Sequence, residues 1–408
     1  TMSLVFSELI DVDAISFGKL RVNYAEVGAD APAQALADAY NMGTAFGSTS
    51  LASAPSTSNN ANLLPESTVS TEAGLEMMFF NNRVGFDVSV YDQTSFNQIM
   101  PAKVSSASGT IYKYVNAGEI NNKGIELSLS ATPVQAGDFE WNTNLNWTKN
   151  KNMVVSLFEG AENLQLASVQ GGVTIEARAG QAYGAIVGYD NMYDSEGRPI
   201  VYHRYDKDVY GGVHYLRSYD MGGKPTVIGN INPDWYAGWN NSFRYKNWTA
   251  SVLLDMQMGG NFFSLDTWYG YATGIYDLTA GNNDLGNPIR SWGDASNPGG
   301  YKLSNVAYWD NSTDVDGNYI NVDEDGNPIN TVAGDYYGDM HNYANAIGYR
   351  WNNQVNHIWD ASFIKLREVA LNYSVPTSYL GSTGIKGLDV ALTGRNLAIL
   401  WKNNPYSD

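Results

Sequence analysis

Between Asn81 and Gln93 the chain reads NNRVGFDVSVYDQ, placing Val84, Phe86, Val88 and Val90 on alternate positions with Gly85, Asp87, Ser89 and Tyr91 between them. Successive side chains of a strand point to opposite faces, so this segment is a strand with one apolar and one polar face. The period of two recurs. Leu20, Val22 and Tyr24 alternate with Lys19, Arg21 and Asn23, and Val69 through Phe79 alternate with Ser70, Glu72, Gly74 and Glu76. Ile125, Leu127 and Leu129 alternate with Glu126 and Ser128; Phe139, Trp141, Leu145 and Trp147 alternate with Glu140, Asn142, Asn144 and Asn146. Further candidates at 172–178, 183–191, 234–246, 248–260, 361–375 and 385–398 bring the total to about eleven strands. No convincing amphipathic helix emerges, although the Ala-rich piece at 31–39 could form a short one. In ASFIKLREVALNYSVP, Val369, Leu371, Tyr373 and Val375 share a face with Lys365 and Arg367. Either these charges lie beyond the apolar zone, or a bulge shifts the phase near Glu368.

The connections constrain the fold further. Asn81-Asn82, residues 133–138, 179–182, the neighbourhood of Asn247 and 376–384 read as short turns rich in Gly, Pro and Asn. Between them lie long segments at roughly 28–65, 98–117, 152–171, 192–233 and 261–360. Short and long alternate, so in an up-and-down sheet every long loop leaves from the same end. A sandwich or propeller has no reason to sort loops this way, whereas a transmembrane barrel has short turns on one side and long loops on the other. The expected fold is therefore all-β, an antiparallel up-and-down transmembrane β-barrel with long loops at one end. Phe79, Tyr91, Trp147, Tyr245 and Trp248 stand near strand ends, as an interfacial girdle requires.

Composition narrows the function. Lys and Arg number 24 against 42 Asp and Glu, for a net charge of −18. That balance disfavours nucleic acid, which needs a cationic footprint. Cysteine is absent, which excludes a disulfide scaffold, a Cys-ligated zinc site and a thiol nucleophile. No apolar run approaches the roughly 20 residues of a spanning helix. The first residues, TMSLVFSELIDVD, put no basic region before an apolar run, so neither a signal peptide nor a helical anchor is expected in this chain. Strands can still cross a bilayer when their sheet closes.

Within the long segments, Trp268, Tyr269 and Tyr271 are the candidate substrate-binding residues, because flat aromatics stack on sugar rings or peptide side chains with little entropy loss. Packing within the loop or a girdle is the commoner use of such residues. Asp314, Asp316, Asp323 and Asp325 could offer calcium its preferred oxygens. The EF-hand template fails there, since Gly317 directly follows the second Asp and no Glu stands at the twelfth position. Two Asp-Gly turns of an external hairpin, at 316–317 and 325–326, are the favoured reading. The four histidines (203, 214, 341 and 357) lack i, i+4 spacing and read as solvated loop residues. No phosphate loop, nucleophile elbow or selected carboxylate pair appears, so no catalytic residue, metal or cofactor is assigned and no enzyme is expected.

GKLRVNYAEVGAD (18–30), LLPESTVSTEAGLEMMFFNNRVGFDVSVYD (63–92), NAGEINNKGIELSLSA (116–131), GQAYGAIVGY (180–189), VIGNINPDWYAGWNNSFRYKNW (227–248), DASFIKLREVALNYSVP (360–376) and GRNLAILWKNNPYSD (394–408) occur in the order seen in one known family. The chain resembles the SusC-like branch of the TonB-dependent outer-membrane transporters of Bacteroidetes. That resemblance implies a 22-strand barrel, an N-terminal plug, a surface lipoprotein lid of the SusD type and energy from TonB. It implies import of a large hydrophilic glycan or peptide across the bacterial outer membrane. Residues 1–408 would then be the C-terminal part of the barrel, about half of it, without the plug or the first barrel half. A passive porin and a secreted carbohydrate-binding β-protein are the alternatives. The expected sheet is open, with edges near 17–27 and 385–398.

Overall fold

In the computed structural model, residues 1–10, 12–158, 161–341, 345–349, 353–381, 384–404 and 406 are described. One antiparallel sheet dominates, and its strands stand side by side in chain order. They are β1 (Met2–Val5), β2 (Ile15–Ala29), β3 (Glu66–Phe79), β4 (Val84–Phe96) and β5 (Gly118–Ala136), followed by β6 (Phe139–Leu157), β7 (Pro233–Tyr245), β8 (Trp248–Gly259), β9 (Phe363–Val375) and β10 (Leu388–Lys402). Each neighbouring pair is antiparallel and consecutive. The short connections at 80–83, 137–138, 246–247 and 376–387 therefore share one end, and the segments 30–65, 97–117, 158–232 and 260–362 share the other. At the first turn Phe80, Asn81 and Asn82 have φ of 53°, 56° and 66°. This is left-handed backbone, in which Asn is among the least strained residues after Gly.

Register sorts the two faces. Leu4, Leu20, Leu75, Val88, Leu127, Trp147, Ala237, Met256, Ile364 and Trp401 form one row across all ten strands. Met77, Phe86, Leu129, Leu145, Trp239, Leu254 and Leu366 form a parallel row two residues away. Between these rows, on the opposite face, run Lys19, Glu76, Asp87, Ser128, Asn146, Gly238, Asp255 and Lys365. The expected faces are thus observed. Val84, Val90 and Leu129 remain 43%, 49% and 39% exposed rather than packed in a protein core.

The outward face is apolar only between two levels. Toward the short turns it ends in a row of rings, Phe139, Tyr245, Trp248 and Tyr373. Toward the long loops, Lys149 lies beside Ile125, and one step beyond it Asp92 pairs with Lys123 at 2.8 Å. Phe139 to Lys149 is ten residues of β6, or roughly 33 Å of strand. At the usual tilt of about 40° that is a band of roughly 25 Å, the height of an outer-membrane barrel's apolar belt. Two of the expected girdle residues do not serve there. Trp147 sits inside the band, level with Leu127. Tyr91 lies on the polar face, its ring over Gly124 and its hydroxyl 3.2 Å from Asn150.

The sheet has ten strands rather than about eleven. Residues 173–178 and 185–188 are strands, but they pair with 163–169 and 226–230 in a separate four-stranded sheet. Val173, Ala177, Ala185, Ile186 and Val187 are all buried, so these strands are packed rather than laid against lipid. Residues 179–182 connect strands of that small sheet, and the two segments read at 152–171 and 192–233 belong to one long loop. Residues 133–136 continue β5 past an irregularity at Ala131/Val134, leaving Gly137-Asp138 as the turn. Residues 31–39 form turns and no helix. The edges also differ in part, since β1 covers Lys19–Val22 of β2, while β10 is an edge as expected. β1 and β10 do not pair with each other.

The phase problem in β9 is solved by a bulge. Leu253 pairs with Glu368 and Leu254 with Leu366, so Arg367 is the extra residue. Ile364 and Leu366 face outward before it, Val369, Leu371 and Tyr373 after it, and Lys365 faces the polar side opposite Asp255. Removing Arg367 therefore leaves every apolar side chain of β9 outward, whereas removing Asn146 from β6 turns its flank of the strand over. Outer-membrane yields close to wild type for the first deletion and near zero for the second are expected; equal yields would refute the bulge assignment.

Candidate functional site

The polar face carries a network built around Arg21. Its guanidinium reaches across β3 to β4, where Nη1 donates to Asp87 Oδ2 at 2.9 Å and Nη2 donates to Asp87 Oδ1 and Ser89 at 2.5 and 2.7 Å. Glu76 lies 3.9 Å away. Gly74 makes this possible, because a Cβ there would stand 2.5 Å from Arg21 Nε. One cation thus holds Glu76 and Asp87, which face each other directly across β3 and β4 and would otherwise repel. Asn144, Asn146, Asn150 and Ser128 continue this hydrophilic surface across β5 and β6.

The long loops fold into a head with its own hydrophobic core. Val201, Val213, Tyr271, Ile289, Leu303, Val306 and Met340 form one buried cluster, joined by Ala346 and Ile347. Residues 214–215, 200–202, 301–308 and 332–338 make a four-stranded sheet around it. The helix α1 (Leu265–Thr273) escapes the sequence reading because its moment is masked by glycine and aromatics. Its signals were Ser264, whose hydroxyl accepts the Thr267 amide at 3.1 Å, and Gly274, which closes it at φ 79°.

α1 carries the three aromatic candidates and separates their fates. Trp268 is 3% and Tyr271 7% exposed, both packed against His357. Tyr269 stays partly exposed, accepting a hydrogen bond from Gln170 at 2.8 Å and lying 5.1 Å from Tyr349. Only Tyr269 of the three offers a surface to a ligand.

The histidines are not all solvated, because these loops have an interior. His214 and His357 are fully buried. His357 Nδ1 lies 3.0 Å from the Thr267 hydroxyl, which also accepts Trp359 Nε1 at 3.3 Å. Burial pushes His357 down to about 3, with a weaker opposing bond to the Ile347 backbone. His214 Nε2 stands 3.5 Å from Asp339, an ion-pair distance without hydrogen-bond geometry. Burial holds His214 below its usual value, and Asp339 pulls the other way.

Asp314 and Asp323 head two successive hairpins. Asp314 Oδ1 accepts the amides of Asp316 and Asn318 at 3.0 and 2.9 Å, and Asp323 Oδ1 those of Asp325 and Asn327 at 3.0 and 2.7 Å. Asp194 and Asn283 head the same turn at 194–198 and 283–287. The repeat DSEGRPI, NDLGNPI, DVDGNYI, DEDGNPI was visible in the sequence and is explained by this backbone capping. Among the described residues no group of three or more His, Cys, Asp or Glu is arranged to hold a metal.

Residues 11–169 match the family model of the TonB dependent receptor-like β-barrel. TonB-dependent receptor P3 of Formosa agariphila is 24% identical over 352 residues, covering 83% of this chain and 30% of the relative. SusC of Bacteroides thetaiotaomicron is 26% identical over 163 residues, covering 38% of this chain and 16% of SusC. The RagAB peptide transporter structure superposes with a TM-score of 0.67 at 16% identity, over 98% of this chain and 39% of that one. The barrel of this chain is similar to that of the TonB-dependent receptors, and its likenesses fit the SusC-like branch.

The chain spans about a third of the length of the first relatives it matches. Its likenesses are to outer-membrane barrels, and it lies in the bacterial outer membrane. The apolar band is its lipid face, the Arg21 network lines the lumen, and the folded head stands at the long-loop end.

Proposed function

We propose that this chain forms the C-terminal part of the barrel of an active importer for a large hydrophilic nutrient, a glycan or a peptide. The supporting observation is the combination, in one sheet, of a lipid-facing band, a hydrophilic lumen face and a head folded over one end only. The remaining strands would complete the barrel by pairing with the open edges at β1 and β10, whose unpaired backbone groups are costly in lipid, and a plug would fill the lumen. A SusD-like surface lipoprotein would close over the head, and TonB would supply the pull that opens a path. SusC and the RagAB transporter, which this chain resembles, support the branch. Tyr269 is the one of the three ring candidates proposed to touch cargo, and loop calcium is not needed by this reading. The barrel makes and breaks no covalent bond.

Cells expressing the full gene product should take up labelled oligosaccharide or peptide in a manner abolished by a protonophore and by loss of TonB. Uptake that survives both treatments would replace the importer with a passive porin.

A further inference from the structure

At the long-loop end of the lumen face a cavity of about 340 Å³ opens between β8, β9 and β10 and the ribbon 261–263/358–360. Phe262 and Phe363 supply an aromatic floor, Gln257 and Asp360 polar edges, and Lys365 and Lys402 two ammonium groups. Both lysines are half-buried. Lys365 is there because of the Arg367 bulge, which puts it on the polar face. Its Nζ rests 4.2 Å from the centre of the Phe363 ring. Although Lys365 is in register with Asp255, no carboxylate oxygen among the described residues lies within 4.0 Å of its Nζ. Asp360 is engaged by the Ser362 amide at 2.7 Å. In a chain of net charge −18, the described lining of this cavity holds Lys365 and Lys402 and a single acid, Asp360.

An ammonium resting over a ring leaves N–H donors for an acceptor, and an anionic acceptor suits it best. The flat apolar floor suits an organic residue rather than a bare inorganic ion, and the volume admits one sugar or amino-acid unit. We infer that this cavity binds a carboxylate borne by the cargo, whether a uronic acid unit of a glycan or the C-terminus of a peptide. This rests on the import reading and adds a specificity determinant at the head of the lumen. Lys365 and Lys402 take the carboxylate, and the two rings take the face or side chain of the unit that carries it.

The test uses the full gene product purified in detergent and two matched probe pairs: oligogalacturonate against its methyl ester, and a mixed peptide library against the same library amidated at its C-termini. One pair should show at least tenfold tighter binding of the free carboxylate, and which pair does so identifies the source. K365Q/K402Q should abolish the preference, K365R/K402R should retain it, and K224Q, on a surface loop, should leave it intact. Heat-modifiable electrophoretic mobility confirms that each variant folds. Equal binding within both pairs, or a preference that survives K365Q/K402Q, would overturn the proposal. Protonophore-sensitive uptake without carboxylate discrimination overturns the cavity assignment alone, whereas carboxylate-selective binding abolished by K365Q/K402Q supports it even where uptake is insensitive to protonophore.

Discussion

Leu145→Arg is expected to prevent stable insertion of the barrel, while Asn144→Arg, the adjacent residue, is tolerated. Leu145 stands in the row with Phe86, Leu129, Trp239 and Leu254. That row is about midway between the ring level at Phe139 and the charged level at Lys149, so the substituted guanidinium meets the bilayer near its midplane. Arginine there costs about 2–4 kcal/mol, compared with about 0–1 near the interfaces. Asn144 faces the lumen beside Ser130 and Asn240, where water and polar side chains solvate a cation. Folded, heat-modifiable protein in the outer membrane is the readout. Equal loss for both variants would mean that the two faces are not in different solvents.

Acid should loosen the head through His357. Its folded pKa, about 3, lies below the ordinary 6.5, so the unfolded head binds a proton that the folded head refuses. The folded state is therefore unaffected by this group above about pH 6.5 and loses stability progressively as the pH falls from there toward 3. At pH 4 the loss is about 3 kcal/mol. The fluorescence of Trp268, packed on this imidazole, and of Trp359, bonded to the Thr267 hydroxyl beside it, should report a lower thermal midpoint at pH 4 than at pH 7. His357→Gln cannot titrate, so it should start less stable at pH 7 yet show a much flatter pH dependence. A variant with the wild-type slope would place the acid sensitivity elsewhere.

Much of the membrane sheet was legible beforehand because its residues obey a local rule. Val84 to Val90 and Ile125 to Leu129 alternate whatever they pair with, and the alternation of short and long connections fixes which end each loop leaves from. Residues 173–178 and 185–188 alternate less clearly, and their burial on both sides distinguishes them from lipid-facing strands only once the head is assembled. The candidate site was less legible. Trp268, Tyr269 and Tyr271 were found, but the helix that buries two of them and leaves one accessible was not, since aromatic and glycine residues hide its period. The histidines were misplaced for a related reason: a loop of about a hundred residues has room for its own core, and no local pattern announces it.

Sequence alone determined most strands of the membrane sheet, their two faces and the end from which the long loops rise, because a side-chain period of two and a short turn are properties of adjacent residues. Tertiary structure decided the rest. Only pairing with β8 and β10 places the bulge at Arg367 and brings Lys365 into the lumen beside Lys402, and only packing of distant loop segments makes His214 and His357 interior. Those outcomes depend on contacts between residues far apart in the chain, where burial and register outweigh any local preference.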